Sequence, residues 1–164
     1  MSLLYPTLYL PSITRLQPKQ LERWGVRGLI LDVDNTLTTH DNPQPHPEVL
    51  LWLEQMRSAG ISMMILSNNH PPRVEPFAEL LELPFTADAA KPLPKGFRRA
   101  AARLGLPREQ IAVVGDQIFT DILGGNFFGA KTVLVEPIQL EATWFFRVKR
   151  RLERSILRNY NRRS

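Results

Sequence analysis

The sequence predicts an α/β fold, a parallel sheet covered by helices on both faces, and three observations carry that expectation. Short apolar runs alternate with longer amphipathic segments, the pattern of strand–helix repeats in a parallel sheet. Several of those runs end abruptly in polar residues: Leu31 gives way to Asp32, Leu66 to Ser67, and Gly115 to Asp116. Prolines punctuate the joins, at Pro71-Pro72, Pro92, Pro94 and Pro107. At 164 residues the chain is one domain's worth, large enough to bury a real core.

In chain order, the first ten residues are apolar but lack a basic leader and are followed or broken by Pro11 and Pro6. They make a poor signal peptide and are too short to span a membrane. Leu3, Tyr5, Leu8, Tyr9 and Leu10 are expected to pack on the domain. Strands are then expected near 28–33, 61–66, 84–87, 111–115 and 132–135, and helices near 47–59, 72–82, 95–104 and 120–128. No internal repeat, low-complexity block or interdomain linker interrupts this order. The chain divides into a domain over 1–143 and a tail over 144–164.

The most informative segment is Gly28-Leu-Ile-Leu-Asp-Val-Asp-Asn-Thr-Leu-Thr38. Asp32 and Asp34 stand at i and i+2 at the end of a strand, where side chains point the same way. Two anions facing one small volume repel, so one is protonated or a cation sits between them. The neighbours are Asn35 and Thr36 rather than Lys or Arg, which favours a divalent metal, and an all-oxygen site suits Mg²⁺. A simple Asp/Asn turn is the competing reading. The other strand ends weigh against it, because residues at the carboxyl ends of a parallel sheet converge on one crevice.

Convergence would gather Asp32, Asp34, Ser67, Lys91, Asp116 and Asp121. Four acids, a hydroxyl and an amine form a coherent kit for phosphoryl transfer. One carboxylate attacks phosphorus and another exchanges a proton with the leaving oxygen. A third helps hold the metal, while Ser and Lys neutralise the phosphoryl oxygens. Lys91 directly follows an apparent strand end and is preferred to Lys95, which reads as a solvated charge. Asp121 reads as support for the metal site, the alternative being an acid that suits the start of a helix. Asn68 and Asn69 face the choice between substrate contacts and ordinary loop residues. His40, His46 and His70 lie in proline-rich loops without metal-ligand spacing.

Asp32-x-Asp34-x-Thr36, Ser67, Lys91 and Gly115-Asp116-x-x-x-x-Asp121 resemble, in order and spacing, the four motifs of the haloacid dehalogenase (HAD) superfamily. The resemblance implies a Rossmann-like domain, with Asp32 as the nucleophile that forms an aspartyl-phosphate and Asp34 as general acid and then base. It implies that Asp116, Asp32 and the Asp34 backbone carbonyl hold Mg²⁺ with Asp121 in support. Ser67 and Lys91 would bind the phosphoryl group; Thr36, Asn68 and Asn69 are the candidate substrate contacts.

The intervals from Thr36 to Pro47 and from Ser67 to Lys91 are too short for the cap domain that members of the superfamily often carry. An open site is therefore expected, with cover from a partner chain as the alternative. The N-terminal Leu-Tyr-Pro lead, Leu-Ser-Asn-Asn69 and Lys91-Pro-Leu-Pro-Lys-Gly-Phe97 resemble the capless type IIIA branch that includes phosphatidylglycerophosphate phosphatases. That resemblance implies release of the terminal phosphate of phosphatidylglycerophosphate to give phosphatidylglycerol. A phosphatase of small esters or phosphorylated macromolecules would use the same residues. A non-catalytic binding protein need not keep both Asp32 and Asp34.

Charge is uneven along the chain. Residues 144–164 hold eight Lys and Arg (Arg147, Lys149, Arg150, Arg151, Arg154, Arg158, Arg162, Arg163) against Glu153, a net +7, whereas residues 1–143 sum to −2. Phe145, Val148, Leu152, Ile156 and Tyr160 share one side of a helical wheel. A basic amphipathic helix suits an anionic membrane surface, where each basic residue contributes about 1 kcal/mol. Docking on the domain and binding nucleic-acid phosphates compete with that reading. With no cysteine, disulfides and thiol catalysis are excluded, which fits a reducing compartment. The expected location is cytoplasmic, peripheral on the inner face of the membrane.

Overall fold

The computed structural model describes residues 2–39, 42–138 and 144–163. Its centre is a six-stranded parallel sheet in the order β1-β6-β5-β2-β3-β4. The strands are β1 (Leu8–Leu10), β2 (Gly28–Leu31), β3 (Ser62–Leu66), β4 (Phe85–Thr86), β5 (Ile111–Gly115) and β6 (Lys131–Val135). The helices are α1 (Pro18–Trp24), α2 (Pro47–Ser58), α3 (Pro71–Leu81), α4 (Pro94–Leu104), α5 (Leu123–Phe128) and α6 (Trp144–Arg163). The sheet and its two helical layers are the α/β architecture the sequence predicts.

Alternation along each strand builds two cores. Leu29, Leu31, Met63, Ile65, Ala112 and Val114 pack with apolar residues of α1, α2 and α3 on one face. Ile30, Met64, Leu66, Ile111 and Val113 pack with Phe97, Ala100 and Phe128 of α4 and α5 on the other. Side chains two apart share a face, so a strand buried on both sides is apolar throughout. Prolines occupy the first turns of α1 to α4, where a missing N–H costs nothing. Gly25 and Gly105 end α1 and α4 in the left-handed conformation.

The apolar lead packs on the domain as expected, but it does so as strand β1, paired with β6 from Leu8↔Val133 to Leu10↔Val135. Neither this strand nor α1 is predicted from the sequence. Three residues between prolines are too few for a periodic signal, and seven give less than two turns of helix. The helix expected from 120 begins instead as a π-helical turn, Ile118–Ile122, that runs into α5. Strand β2 ends at Leu31, although Asp32 N–H still donates to Val114 O at 3.0 Å.

Only residues 32–46 separate β2 from α2, and residues 67–93 hold just α3 and β4. Among the described residues, no inserted domain covers the carboxyl ends of the strands. The boundary expected at 143/144 falls at residues 139–143, outside the described residues, as does His40. The tail is helical, as its periodicity predicts, and α6 docks partly on the domain. Ile156 and Leu157 pack against Ile118, Ile122 and Leu134. The Tyr160 ring meets Tyr5 edge-on, with centroids 5.7 Å apart. Leu152 stays exposed. The side chains of Phe145, Val148, Arg147, Lys149, Arg150, Arg162 and Arg163 lie outside the described residues. Among those described, no helix is long and apolar enough to cross a membrane.

Candidate active site

The chain winds outward from β2 in both directions, to β3 on one side and to β5 on the other, so the crevice lies at the carboxyl end of β2. Asp32 follows β2, Ser67 follows β3, and Asp116 follows β5. Beyond Asp32 the backbone turns tightly: Thr36 N–H and Leu37 N–H both donate to Val33 O. Asn35 takes φ 61°, a left-handed conformation that asparagine tolerates better than most residues.

Asp32, Asp116 and Asp121 each offer a carboxylate oxygen within 4.8 Å of the others. The Lys91 ammonium enters the same cluster, donating to Asp121 Oδ1 at 2.7 Å and to Asp32 Oδ1 at 3.1 Å. Lys91 is itself fixed by Asn68. The Asn68 side chain accepts from Lys91 N–H at 2.7 Å and donates to Lys91 O at 3.1 Å. Lys95 is exposed. The π-helical turn brings Asp121 beneath Gly115, where an added Cβ would lie 2.2 Å from Asp121 Oδ2. Only glycine leaves that approach open.

Burial works against the charge of Lys91, but the carboxylates of Asp121 and Asp32 outweigh it and hold the ammonium above its ordinary range. Burial, reinforced by the nearby Asp32 charge, pushes Asp121 up to about 6 despite the opposing pull of Lys91. Three acids around one amine leave an excess of negative charge. The donor set is all oxygen and crowded, which fits a hard divalent cation among Asp32, Asp116 and Asp121. The Asp34 carboxylate is not one of these three. Its Oδ2 accepts from Asn69 Nδ2 at 2.6 Å and its Oδ1 from Arg73 Nη2 at 2.8 Å. A metal contact from Asp34 would therefore come through its backbone carbonyl.

Of the three residues expected at substrate, two make side-chain hydrogen bonds within the protein. Asn68 braces the backbone of Lys91 and Asn69 holds Asp34, because each amide lies across from a group with matching donors and acceptors. Thr36 is buried, and its hydroxyl has no hydrogen-bond partner among the described residues. The Ser67 hydroxyl is also buried and accepts from Asn69 N–H at 3.1 Å. His46 accepts from Glu48 N–H at the start of α2, and His70 pairs with Asp88 at 2.6 Å, away from the acidic cluster.

Arg73 is the residue that sequence reasoning missed. Besides Asp34 it donates to Asn42 O at 3.0 Å, and its guanidinium lies 5.4 Å from the Phe77 ring centroid. A faint signal existed in the sequence: Arg73 falls in the first turn of α3, where the helix dipole disfavours a cation, so a compensating anion was required.

A parallel sheet with acids at the ends of its two central strands and a buried lysine beside them defines a phosphoryl-transfer enzyme of the haloacid dehalogenase type. The family model for haloacid dehalogenase-like hydrolases matches residues 38–129, and that for mitochondrial PGP phosphatase matches residues 1–74. The chain is similar to the probable phosphatase YqeG of Bacillus subtilis, 40% identical over 152 residues, 93% of this chain and 88% of that protein. It is 32% identical to the chloroplastic phosphatidylglycerophosphate phosphatase 1 of Chlamydomonas reinhardtii over 84% of this chain, and spans 54% of that protein. Among solved structures it resembles the cobalt-bound deoxy-D-mannose-octulosonate 8-phosphate phosphatase of Haemophilus influenzae. The TM-score there is 0.56 at 18% identity, over 77% of this chain and 75% of the other. The chain belongs to the haloacid dehalogenase-like hydrolase family, and it is a phosphatase.

Proposed function

We propose that this phosphatase removes the terminal phosphate of phosphatidylglycerophosphate, with Mg²⁺ as its metal and an aspartyl-phosphate on Asp32 as its intermediate. The observation that carries the chemistry is the division of labour between the two motif aspartates. Asp32 sits with Lys91 in the cluster, while Asp34 is held apart by Asn69 and Arg73. Support for the lipid substrate comes from the match of residues 1–74 to mitochondrial PGP phosphatase and from the chloroplastic relative.

An Asp32 oxygen attacks phosphorus, a new O–P bond forms, and the bond to the substrate alcohol breaks. Asp34 gives its proton to the departing alkoxide. In the second half Asp34 takes a proton from water, whose oxygen attacks the aspartyl-phosphate, releasing phosphate and restoring Asp32. Lys91 offsets the negative charge of the phosphoryl oxygens, and the Ser67 hydroxyl adds a hydrogen bond. Bound Mg²⁺, held by Asp32, Asp116 and the Asp34 carbonyl with Asp121 alongside, would supply further charge compensation. Asn69 and Arg73 orient the Asp34 carboxyl for these proton transfers.

The exposed Arg151, Arg154 and Arg158, together with Leu152, support a role for α6 at an anionic membrane surface. The test is phosphate release from phosphatidylglycerophosphate, sugar phosphates and nucleotides, in Mg²⁺ and in chelator. Asp32→Asn should abolish release and Asp34→Asn should lower it by about 10²–10⁴-fold. Substantial turnover by purified Asp32→Asn would sink the nucleophile assignment. A preference for another substrate would remove the lipid reading.

A further inference from the structure

Beside the acidic cluster lies a groove of about 670 Å³, within the ordinary range for small-molecule sites of about 300–1,000 Å³. Its lining includes Leu134 and Val135 from the end of β6, Ile138 just beyond, Ile118 from the π-helical turn, and Leu157 from α6. Asp116 lines it too, so the groove and the acidic cluster share a residue. The groove lies between α6 and the end of β6. The buried Glu153 carboxylate accepts from Ile118 N–H at 3.1 Å and pins the helix, while Ile156 and Leu157 rest on Ile118, Ile122 and Leu134.

We propose that this groove receives the apolar body of the leaving-group alcohol, which makes α6 a wall of the substrate site. A cap domain, the usual source of substrate contacts in a fold of this kind, is missing between the strands and helices described. The inference deepens the lipid-phosphate reading and rests on it for the identity of the alcohol. Two features select the occupant. The lining is largely aliphatic, so a sugar or nucleoside would set its hydroxyls against Leu134, Val135 and Leu157 without hydrogen-bond partners. Two of the acids in the lining already have partners within the protein, Glu153 with Ile118 N–H and Glu136 with the Tyr9 hydroxyl at 2.8 Å. An aliphatic alcohol matches this lining, and in a glycerophospholipid phosphate the acyl part of the leaving group has that composition.

The test separates groove from lipid by using a graded series of alkyl monophosphates, from ethyl to octyl below their micelle concentrations, alongside phosphatidylglycerophosphate with short acyl chains. In the wild-type enzyme kcat/KM should rise tenfold or more from ethyl to octyl phosphate. Ile138→Trp, which enlarges a half-exposed side chain at the groove, should flatten that rise. Leu157→Ser, which removes aliphatic wall, should flatten it as well and serves if the tryptophan variant does not fold. A flat series in the wild-type enzyme overturns the groove, whatever happens with the lipid. A steep series that survives both folded variants overturns it too. A steep series lost in the variants, without turnover of the lipid, upholds the groove and discards phosphatidylglycerophosphate as substrate.

Discussion

Replacing Asp121 by asparagine isolates the electrostatic strain of the acidic cluster, because the side chain keeps its shape and loses its charge. Asp121 is fully buried within 4.8 Å of Asp32 and Asp116, and its carboxyl is pushed from 3.8 up to about 6. An acid whose folded value is raised contributes its full stability below the unfolded value, and that contribution is lost as pH rises through the folded value. At about 1.4 kcal/mol per unit, the loss is about 3 kcal/mol, most of it between pH 4 and pH 7. The Lys91 ammonium is held above its ordinary range and stays charged throughout that interval. In chelator, then, Asp121→Asn should gain on the wild-type protein by about 3 kcal/mol as pH rises from 4 to 7.5. Denaturant melts at four or five pH values measure this, since groups distant from the cluster cancel in the difference. Adding Mg²⁺ at neutral pH should reverse the ranking, because a ligand that binds only the folded state stabilises the protein that holds it. A stability difference that is flat with pH, or that falls, would refute the argument that burial and Asp32 strain this carboxyl.

Arg73→Met should lower kcat/KM by roughly ten- to a hundredfold, since a charge-assisted hydrogen bond contributes about 1.5–3 kcal/mol, and Arg73→Lys should restore part of it. Steady-state rates within twofold of wild type would show that Asp34 needs no partner at that position. Gly115→Ala would place a Cβ 2.2 Å from Asp121 Oδ2, so it should cost about 1–3 kcal/mol and weaken divalent-metal binding, read by thermal shift with and without Mg²⁺. On α6, Leu152→Asp should leave folding intact because that side chain is 55% exposed, whereas Ile156→Asp should destabilise by about 1–3 kcal/mol by breaking the docked face. Binding of anionic vesicles by Leu152→Asp tests the membrane role without disturbing the dock, and unchanged binding would remove Leu152 from that role.

Much of the candidate site is legible in the chain because each piece is local. An apolar run that stops at Asp32, Ser67 or Asp116 marks a strand end, and in a parallel sheet all such ends face one crevice. The positions of α2, α3 and α4 are readable for the same reason, as amphipathic runs opened by prolines. Strand β1 and helix α1 are not readable in this way. Their stability comes from pairing with β6 and from packing of Leu21 into the core, not from a pattern within themselves.

By itself, the sequence determined which residues could meet at the site and the chemistry they could perform: acids for nucleophile, proton transfer and metal, with a lysine to balance them. Tertiary structure decided the pairings. It set Arg73 and Asn69 on Asp34, Asn68 on the backbone of Lys91, and Asp121 against Asp32 and Lys91. It also turned the basic tail so that Glu153 and Leu157 face the domain while Leu152 faces away. Periodicity reports which face of an element is apolar, because that repeats every two or 3.6 residues. The partner of a polar side chain lies across a chain separation with no period at all, and only the closed fold brings the two within hydrogen-bonding distance.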